Sequence, residues 1–247
     1  GLNEEAMMRL SALMNIAVVA GLATGCVVTV EPDPYDPYDP PPRSVQVENH
    51  LFYADAPITR VVTNVDVGDV VFVGDLPLDA SVDVDIHYEW GSRPELDVYA
   101  VGSTLYIDLV CPPSDGECRS AITAWIPYDA DLDTTVAVGS LEVWDMQGDW
   151  IASTGVAEVS GYGLTSSWVD VFTDIGSVEL SFDLAPDFVS AFVGIGDVIV
   201  SVPSGVYDVD TWVGTGSVRV SGLVSDPLAW REINASAETG DVVVTGF

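Results

Sequence analysis

The 247-residue chain contains no lysine, and its seven basic side chains are all arginine. The missing lysine excludes lysine Schiff-base chemistry and phosphate binding by a P-loop. The 39 acidic residues give a formal net charge of −32 and a pI near 4.1. A nucleic-acid partner is therefore disfavoured, because neutralising phosphate needs clustered Lys and Arg.

Histidine is almost as scarce, since the chain has only His50 and His87. A serine triad needs a histidine oriented by a carboxylate, and neither histidine lies beside a nucleophile-elbow pattern. No two His or Cys residues stand at zinc-ligand spacing once the two cysteines discussed below are paired. We therefore predict no catalytic residue and no cofactor, and expect a protein that is not an enzyme.

Calcium is the only metal for which the sequence offers a candidate. Asp129, Asp131 and Asp133 place three carboxylates on alternate residues, as oxygen-rich calcium loops do. The EF-hand pattern is incomplete, because Thr134 and Ser140 hold the places of its glycine and its last glutamate. A solvated loop before a strand is the favoured interpretation, so no metal site is predicted.

The apolar run near the N-terminus is too short to cross a bilayer. It covers residues 10–22, follows Arg9 and ends at small residues, so residues 1–25 look like an export signal. The stretch Leu22-Ala23-Thr24-Gly25-Cys26 resembles the lipobox of bacterial lipoproteins, with Ala23 in the place of the usual Leu. This resemblance implies that Cys26 carries a lipid. The alternative is an ordinary secretory signal that happens to end at a cysteine.

Residues 26–44 are rich in Pro, Asp and Tyr and contain a Pro-Tyr-Asp repeat. Proline fixes φ and removes N–H donors, so the segment is predicted to be an extended spacer of about 3.1 Å per residue. Its Asp and Tyr side chains could instead attract calcium or a partner domain. We favour a tether between the membrane anchor and a folded domain over residues 45–247.

The two remaining cysteines, Cys111 and Cys118, flank a segment with Pro-Pro and Asp-Gly pairs, which are turn formers. The two ends of this loop should therefore lie close together. An exported protein is expected to oxidise them to a disulfide. A redox pair is the alternative, but catalytic pairs usually have the shorter Cys-x-x-Cys spacing.

From Val45 onward strand signals dominate. Val82, Val84, Ile86 and Tyr88 alternate with polar residues, which predicts a strand with one apolar face. His87 falls on the polar face of that strand and is expected to be exposed.

A motif of Gly, then Ser or Asp, then an apolar residue recurs through the chain. It occurs at Gly68, Gly139, Gly176, Gly196, Gly216 and Gly240. Around the glycines at 176, 196 and 216, apolar or β-branched residues stand seven, five and three positions before the glycine and two and four after it. These fifteen residues are Val169, Val171, Thr173, Val178, Leu180, Val189, Ala191, Val193, Val198, Val200, Val209, Thr211, Val213, Val218 and Val220. The apolar face must change at the glycine, as at a corner between two short strands.

A two-strand unit of about 20 residues cannot bury its own apolar face, but units stacked ~4.8 Å apart share one core. The sequence therefore predicts an all-β fold, namely a β-solenoid of ~20-residue rungs similar to a single-stranded β-helix. The repeats are expected to stack in sequence order.

An aromatic residue stands four positions before the glycine in three successive repeats, on the outer face. These residues are Phe172, Phe192 and Trp212, and they are expected to stack as a ladder. The favoured interpretation is packing that stabilises the rungs. The alternative is a groove that binds a glycan or another protein.

The glycine-punctuated segments Ile195-Gly196-Asp197-Val198-Ile199-Val200 and Thr215-Gly216-Ser217-Val218-Arg219-Val220 resemble the bacterial putative-adhesin family of β-strand repeats, a domain of unknown function. The resemblance is best over residues 135–247 and weaker over 45–134. It implies a β-solenoid and transfers no catalytic residue.

These observations favour a non-enzymatic, lipid-anchored cell-envelope protein that acts as a scaffold or adhesin-like surface. Its expected partners are the membrane, through the lipid, and a glycan or an envelope protein. Val27, rather than Asp, follows Cys26, a pattern typical of outer-membrane lipoproteins in diderm bacteria. The alternative is a β-solenoid protein that binds or degrades envelope polysaccharide.

Overall fold

The computed structural model describes residues 45–54, 56–75, 80–89, 91–113 and 116–247. These residues form 17 β-strands joined in one sheet and no helix, which confirms the all-β prediction. Across those ranges, accordingly, no helix is long and apolar enough to span a bilayer. The predicted signal peptide, Cys26 and the linker over 26–44 lie outside the described residues and stay predictions.

Eleven of the 17 strands form seven parallel rungs, each hydrogen-bonded to the next. In stacking order the rungs are β2 (Arg60–Asp75), β7 (Asp131–Trp144), β8 (Trp150–Leu164), β9 with β10 (Trp168–Ile175 and Val178–Phe182), β11 with β12 (Phe188–Ile195 and Val198–Val202), β16 with β17 (Glu232–Thr239 and Val242–Gly246) and β13 with β14 (Val206–Thr215 and Val218–Ser221). The first three rungs are single long strands, and each of the later four is interrupted at the glycine and the residue that follows it.

The glycine corners pack directly on one another. Gly196 has a φ of +142°, and a Cβ atom there would lie 1.6 Å from the carbonyl oxygen of Gly176. Gly240 repeats this relationship with Gly196, at 1.8 Å. A side chain at such a corner is excluded by the neighbouring backbone as well as by the dihedral angle.

The polar residue after each glycine links one rung to the next. The N–H of Asp241 donates to Oδ1 of Asp197 at 2.8 Å, and Oδ1 of Asp241 accepts from both the N–H and the hydroxyl of Ser217 at 2.8 and 2.9 Å. At another corner the hydroxyl of Ser140 donates to Asp69 at 2.8 Å. The Ser and Asp of the motif therefore satisfy backbone and side-chain groups across the corners.

The predicted change of face at the glycine is confirmed. Ten of the fifteen predicted inward residues are buried, and all five exceptions belong to the repeat of Gly216. In that repeat Val218 and Val220 are 44% and 39% exposed. Its inward side chains are uncovered because the rung of β13 and β14 lies at the end of the stack.

The prediction that the repeats stack in sequence order is wrong for the last two. Strand β16 pairs with both β11 and β13, and β17 pairs with both β12 and β14. The rung of Gly240 therefore lies between those of Gly196 and Gly216. All the repeats carry nearly the same apolar pattern, so the pattern cannot encode which repeats become neighbours.

The short strand β15 (Val224–Ser225) leads the chain into the rung of Gly240, between the rungs of Gly196 and Gly216. It pairs with Val206 and Tyr207. Glu232 then pairs with Asp208, so residues 226–231 form a six-residue insertion in the last rung. The loop is turned by Asp226, whose carboxylate accepts the N–H of Leu228 at 3.0 Å. Val206 and its partner Val224 are 18 residues apart, and the insertion raises this offset to the 24 residues that separate the last two glycines.

The opposite end of the stack is built differently. Its strands are β1 (Val45–Tyr53), β3 (Ser81–Glu89), β4 (Glu95–Val101), β5 (Thr104–Val110) and β6 (Cys118–Pro127). Strands β5 and β6 lie parallel to the two halves of β2, whereas β3 is antiparallel to β6 and β1, and β4 is antiparallel to β5. This departure from the parallel pattern coincides with the region where the adhesin-like repeat is weakest.

Strand β3 has the predicted alternation. Val82, Val84, Ile86 and Tyr88 are buried, and His87 lies on the polar face as predicted. The prediction that His87 is exposed is wrong, because β3 is flanked by β1 and β6 and the side chain is half-buried.

Candidate binding faces

The disulfide between Cys111 and Cys118 is present, with Cα atoms 6.0 Å apart. The N–H of Cys111 donates to Oδ2 of Asp66 at 2.9 Å, which ties the start of the loop to β2. A Cβ atom on Gly116 would lie 1.9 Å from the hydroxyl of Ser92, so the loop packs closely on the segment after β3. The bridge therefore staples a loop at the antiparallel end of the stack.

His50 belongs to a charged cluster that the sequence did not reveal. Glu48 accepts hydrogen bonds from Arg93 at 2.8 and 3.0 Å and from the hydroxyl of Tyr88 at 2.5 Å, and His50 lies 3.2 Å away. The hydrogen bonds from Arg93 and Tyr88 lower the pKa of Glu48 from 4.5 to about 2. The cluster holds β1 against β3, and no signal in the sequence pairs residues 45 positions apart.

The calcium candidate is not assembled. The carboxylate of Asp133 accepts a hydrogen bond from Arg60 at 2.9 Å, and that of Asp131 accepts the N–H of Asp149 at 3.1 Å. Asp129 lies exposed in the turn before β7. Among the residues that the structure describes, no three His, Cys, Asp or Glu side chains are grouped so that they could hold a metal ion.

Carboxylates instead meet in pairs. Asp97 and Asp108 are register partners on β4 and β5, and burial together with the charge of Asp97 raises the pKa of Asp108. Burial and the nearby Asp131 likewise raise the pKa of Asp149. These are the electrostatic consequences of a strongly acidic chain folded into a sheet.

The predicted aromatic ladder is only partly formed. Phe172 and Phe192 stack with ring centroids 5.3 Å apart and an angle of 2° between the ring planes. Trp212 is not the next residue in this row, because Ser236 of β16 is the register partner of both Phe192 and Trp212. The prediction of three contiguous rings is wrong, since it assumed that the repeats stack in sequence order.

Two further aromatic pairs lie on the outer faces of the parallel rungs, in addition to Tyr99 and Tyr106, which stack at 5.1 Å on β4 and β5. Trp168 stacks on Phe188 at 4.1 Å, and Trp144 lies 4.7 Å from Tyr162 at an angle of 37°. The first pair stands eight residues before its glycines, so the same repeat alignment could have found it. The second pair is hidden because Ala157 takes the corner position that is glycine in the neighbouring rungs.

A row of exposed aliphatic side chains runs along the stack at the position just before the corner. Val138, Val156, Ile175 and Ile195 are successive register partners on four adjacent rungs. Each is between 44% and 56% exposed. Since rungs are ~4.8 Å apart, the row forms a continuous apolar stripe ~14 Å long between the first and last Cα atoms.

The chain is similar to the solved structure of a putative cell adhesion protein from Clostridium sporogenes. The sequence identity is 12% and the TM-score is 0.50, over 82% of this chain and 100% of that one. Putative adhesins from Bacteroides fragilis and Parabacteroides distasonis are also similar, at 11% and 10% identity and TM-scores of 0.36 and 0.34, over 81% and 80% of this chain and 97% of each of those.

No protein-family model and no curated protein matches the chain. At 12% identity the similarity to the Clostridium protein shows the fold alone. The chain therefore shares the all-β fold of a solved structure described as a putative cell adhesion protein, in agreement with the resemblance of its glycine-punctuated repeats to the putative-adhesin family.

Proposed function

We propose that the chain is a non-enzymatic protein of the bacterial cell envelope whose repeat stack is a β-solenoid serving as an adhesin-like surface. The observation that carries this proposal is the exposed aliphatic stripe of Val138, Val156, Ile175 and Ile195. Exposed apolar side chains that are scattered singly need no explanation, whereas a continuous row marks a contact surface. The description of the Clostridium structure as a putative cell adhesion protein supports the same function.

The proposal includes export and lipid attachment at Cys26, with the segment over 26–44 as a tether to the outer membrane. Cys26→Ser should release the protein from the membrane fraction of expressing cells. Retention of a processed, wild-type-sized variant in that fraction would show that lipidation is not the anchor. Accessibility of the wild-type protein to external protease tests whether the stack faces outward.

Adhesion by the stripe can be measured with cells that carry the full chain. Attachment to methyl-terminated glass should exceed attachment to hydroxyl-terminated glass, and the double variant Val156→Ser, Ile175→Ser should remove most of the difference. The matched control is the double variant Val45→Ser, Leu51→Ser, which removes two exposed apolar side chains from β1, away from the stripe. Equal attachment by the two double variants would show that the stripe is not the contact surface.

A second candidate is binding of envelope polysaccharide by the aromatic side chains on the outer faces. The observation in its favour is the pair of aromatic side chains, Phe192 and Trp212, that flank Ser236. Degradation of polysaccharide is the other form of this alternative. We expect no release of reducing ends or unsaturated products from a polysaccharide panel, and reproducible release by wild-type protein would establish an enzyme.

A further inference from the structure

The inserted last rung creates a gap in the aromatic row. Phe192, Ser236 and Trp212 are register partners on the adjacent strands β11, β16 and β13. Phe192 and Trp212 are thus two strands apart, or ~9.6 Å, with only the small side chain of Ser236 between them. Phe172 and Phe192, on adjacent strands, stack at 5.3 Å and leave no such gap.

The gap has room for one ring-sized group. Two carbon contacts of ~3.5–4.0 Å, one to each flanking ring, require ~7–8 Å in total. Trp212 is 54% exposed, and its indole reaches along its own strand to 3.3 Å from the position that a Cβ of Gly214 would occupy. The missing side chain at Gly214 therefore leaves the indole space along its own strand.

Polar groups accompany the two aromatic side chains on the same face. Two positions back along the strands, Ser190, Asn234 and Asp210 form the parallel row of register partners. The amide of Asn234 donates to Glu232 at 2.6 Å, which orients it and leaves its carbonyl oxygen as an acceptor. Hydroxyl, amide and carboxylate groups next to aromatic surface are the usual components of a site for a ligand with an apolar face and a polar edge.

We propose that Phe192, Ser236 and Trp212 form a slot that binds one pyranose ring of an uncharged glycan. A pyranose has C–H groups on its faces for the two aromatic side chains and hydroxyls on its rim for Ser236, Asn234 and Asp210. Acidic glycans and phosphorylated ligands are disfavoured by Asp210 and by the net charge of −32. This inference deepens the polysaccharide-binding candidate and rests on it.

Isothermal titration calorimetry of the full chain in mild detergent tests the slot, with cellohexaose, chitohexaose and mannohexaose as uncharged probes and polygalacturonate as the acidic probe. At least one uncharged probe should bind, and polygalacturonate should not. Trp212→Ala should weaken binding at least ~10-fold, because it removes one wall of the slot. Trp168→Ala removes an indole of similar exposure from outside the slot and should leave binding unchanged.

The sharpest variant is Ser236→Phe, which fills the gap and restores a continuous row from Phe172 to Trp212. It should abolish binding while leaving the melting temperature unchanged or higher, so loss of the fold cannot explain the loss of binding. Undiminished binding by Ser236→Phe overturns the slot but leaves polysaccharide binding standing elsewhere on the protein. If no uncharged probe binds, or if polygalacturonate binds equally well, the slot is not a site for uncharged glycans. The adhesion measurement tests the proposed function separately and does not depend on either of these results.

Discussion

Val218 and Val242 are register partners on the adjacent strands β14 and β17, yet the side chain of Val242 is fully buried and that of Val218 is 44% exposed. The two residues hold the same position in their repeats, two residues after the glycine. Val242 lies between Val198 and Val218. Among the residues that the structure describes, no rung lies beyond that of Val218. The position of a rung in the stack, and not its position in the chain, thus decides how deeply its valine is buried.

Val242→Asp should unfold the last rungs, because an unpaired buried carboxylate costs several kcal/mol against a total stability of about 5–15 kcal/mol. Val198→Asp should behave in the same way, since Val198 is fully buried between Val178 and Val242. Val218→Asp and Ile199→Asp place the charge at exposed positions and should be tolerated much better. Thermal unfolding followed by circular dichroism measures all four, and equal melting temperatures for Val242→Asp and Val218→Asp would contradict the stacking order.

Gly196→Ala should be severely destabilising, because the new Cβ would lie 1.6 Å from the carbonyl oxygen of Gly176. The matched control is Gly102→Ala, at a φ of +62° with nothing within 4 Å of the new Cβ. In the control, only the left-handed conformation of the new alanine lowers the free energy of unfolding, by about 1–2 kcal/mol. In urea unfolding, Gly196→Ala should cost at least ~2 kcal/mol more than the control, and similar costs would show that the corners have space for a side chain.

Glu48→Gln should lower stability at neutral pH and lose its effect in acid. The folded-state pKa of Glu48 is depressed to about 2 by its hydrogen bonds from Arg93 and Tyr88. Its ionised form therefore stabilises the fold above pH 4.5, and this contribution is lost as the pH falls from 4.5 to 2. Melting temperatures of wild type and variant should differ at pH 7 and converge near pH 2. Glu95→Gln, at an exposed carboxylate that begins β4, serves as the control, and a Glu48→Gln difference that persists at pH 2 would assign the effect to something other than charge.

Removing the disulfide by Cys111→Ser, Cys118→Ser should cost only ~2.5 kcal/mol, because so short a loop restrains the unfolded chain little. Mass spectrometry of the exported wild-type protein should find the two cysteines joined. Two free thiols in that protein would contradict the bridge, and a loss of stability far above the expected value would show that the loop has a larger role than a local staple.

The alternation of Val82, Val84, Ile86 and Tyr88 and the apolar positions around Gly176 and Gly196 could be read from the sequence. Side chains two apart on a strand face the same side, so burial on one face leaves a period that survives in a single sequence. The pairing of Cys111 with Cys118 was equally accessible, because it depends on a local loop. The cluster of Glu48, Tyr88 and Arg93 was not, because its members meet only after β1 and β3 have paired.

Local periodicity and the backbone freedom of single residues are enough to fix the all-β class, the inward faces and the glycine corners, so all three follow from the amino-acid sequence alone. The long-range pairing of strands places the last repeat inside the stack, exposes Val218 and puts Ser236 between Phe192 and Trp212. The sequence pattern does not reveal this pairing, because every rung presents nearly the same row of apolar residues to its neighbours and the apolar contacts favour several stacking orders almost equally. The choice among them depends on the path of the whole chain, including the six-residue insertion at 226–231 that lets the last rung return between two others.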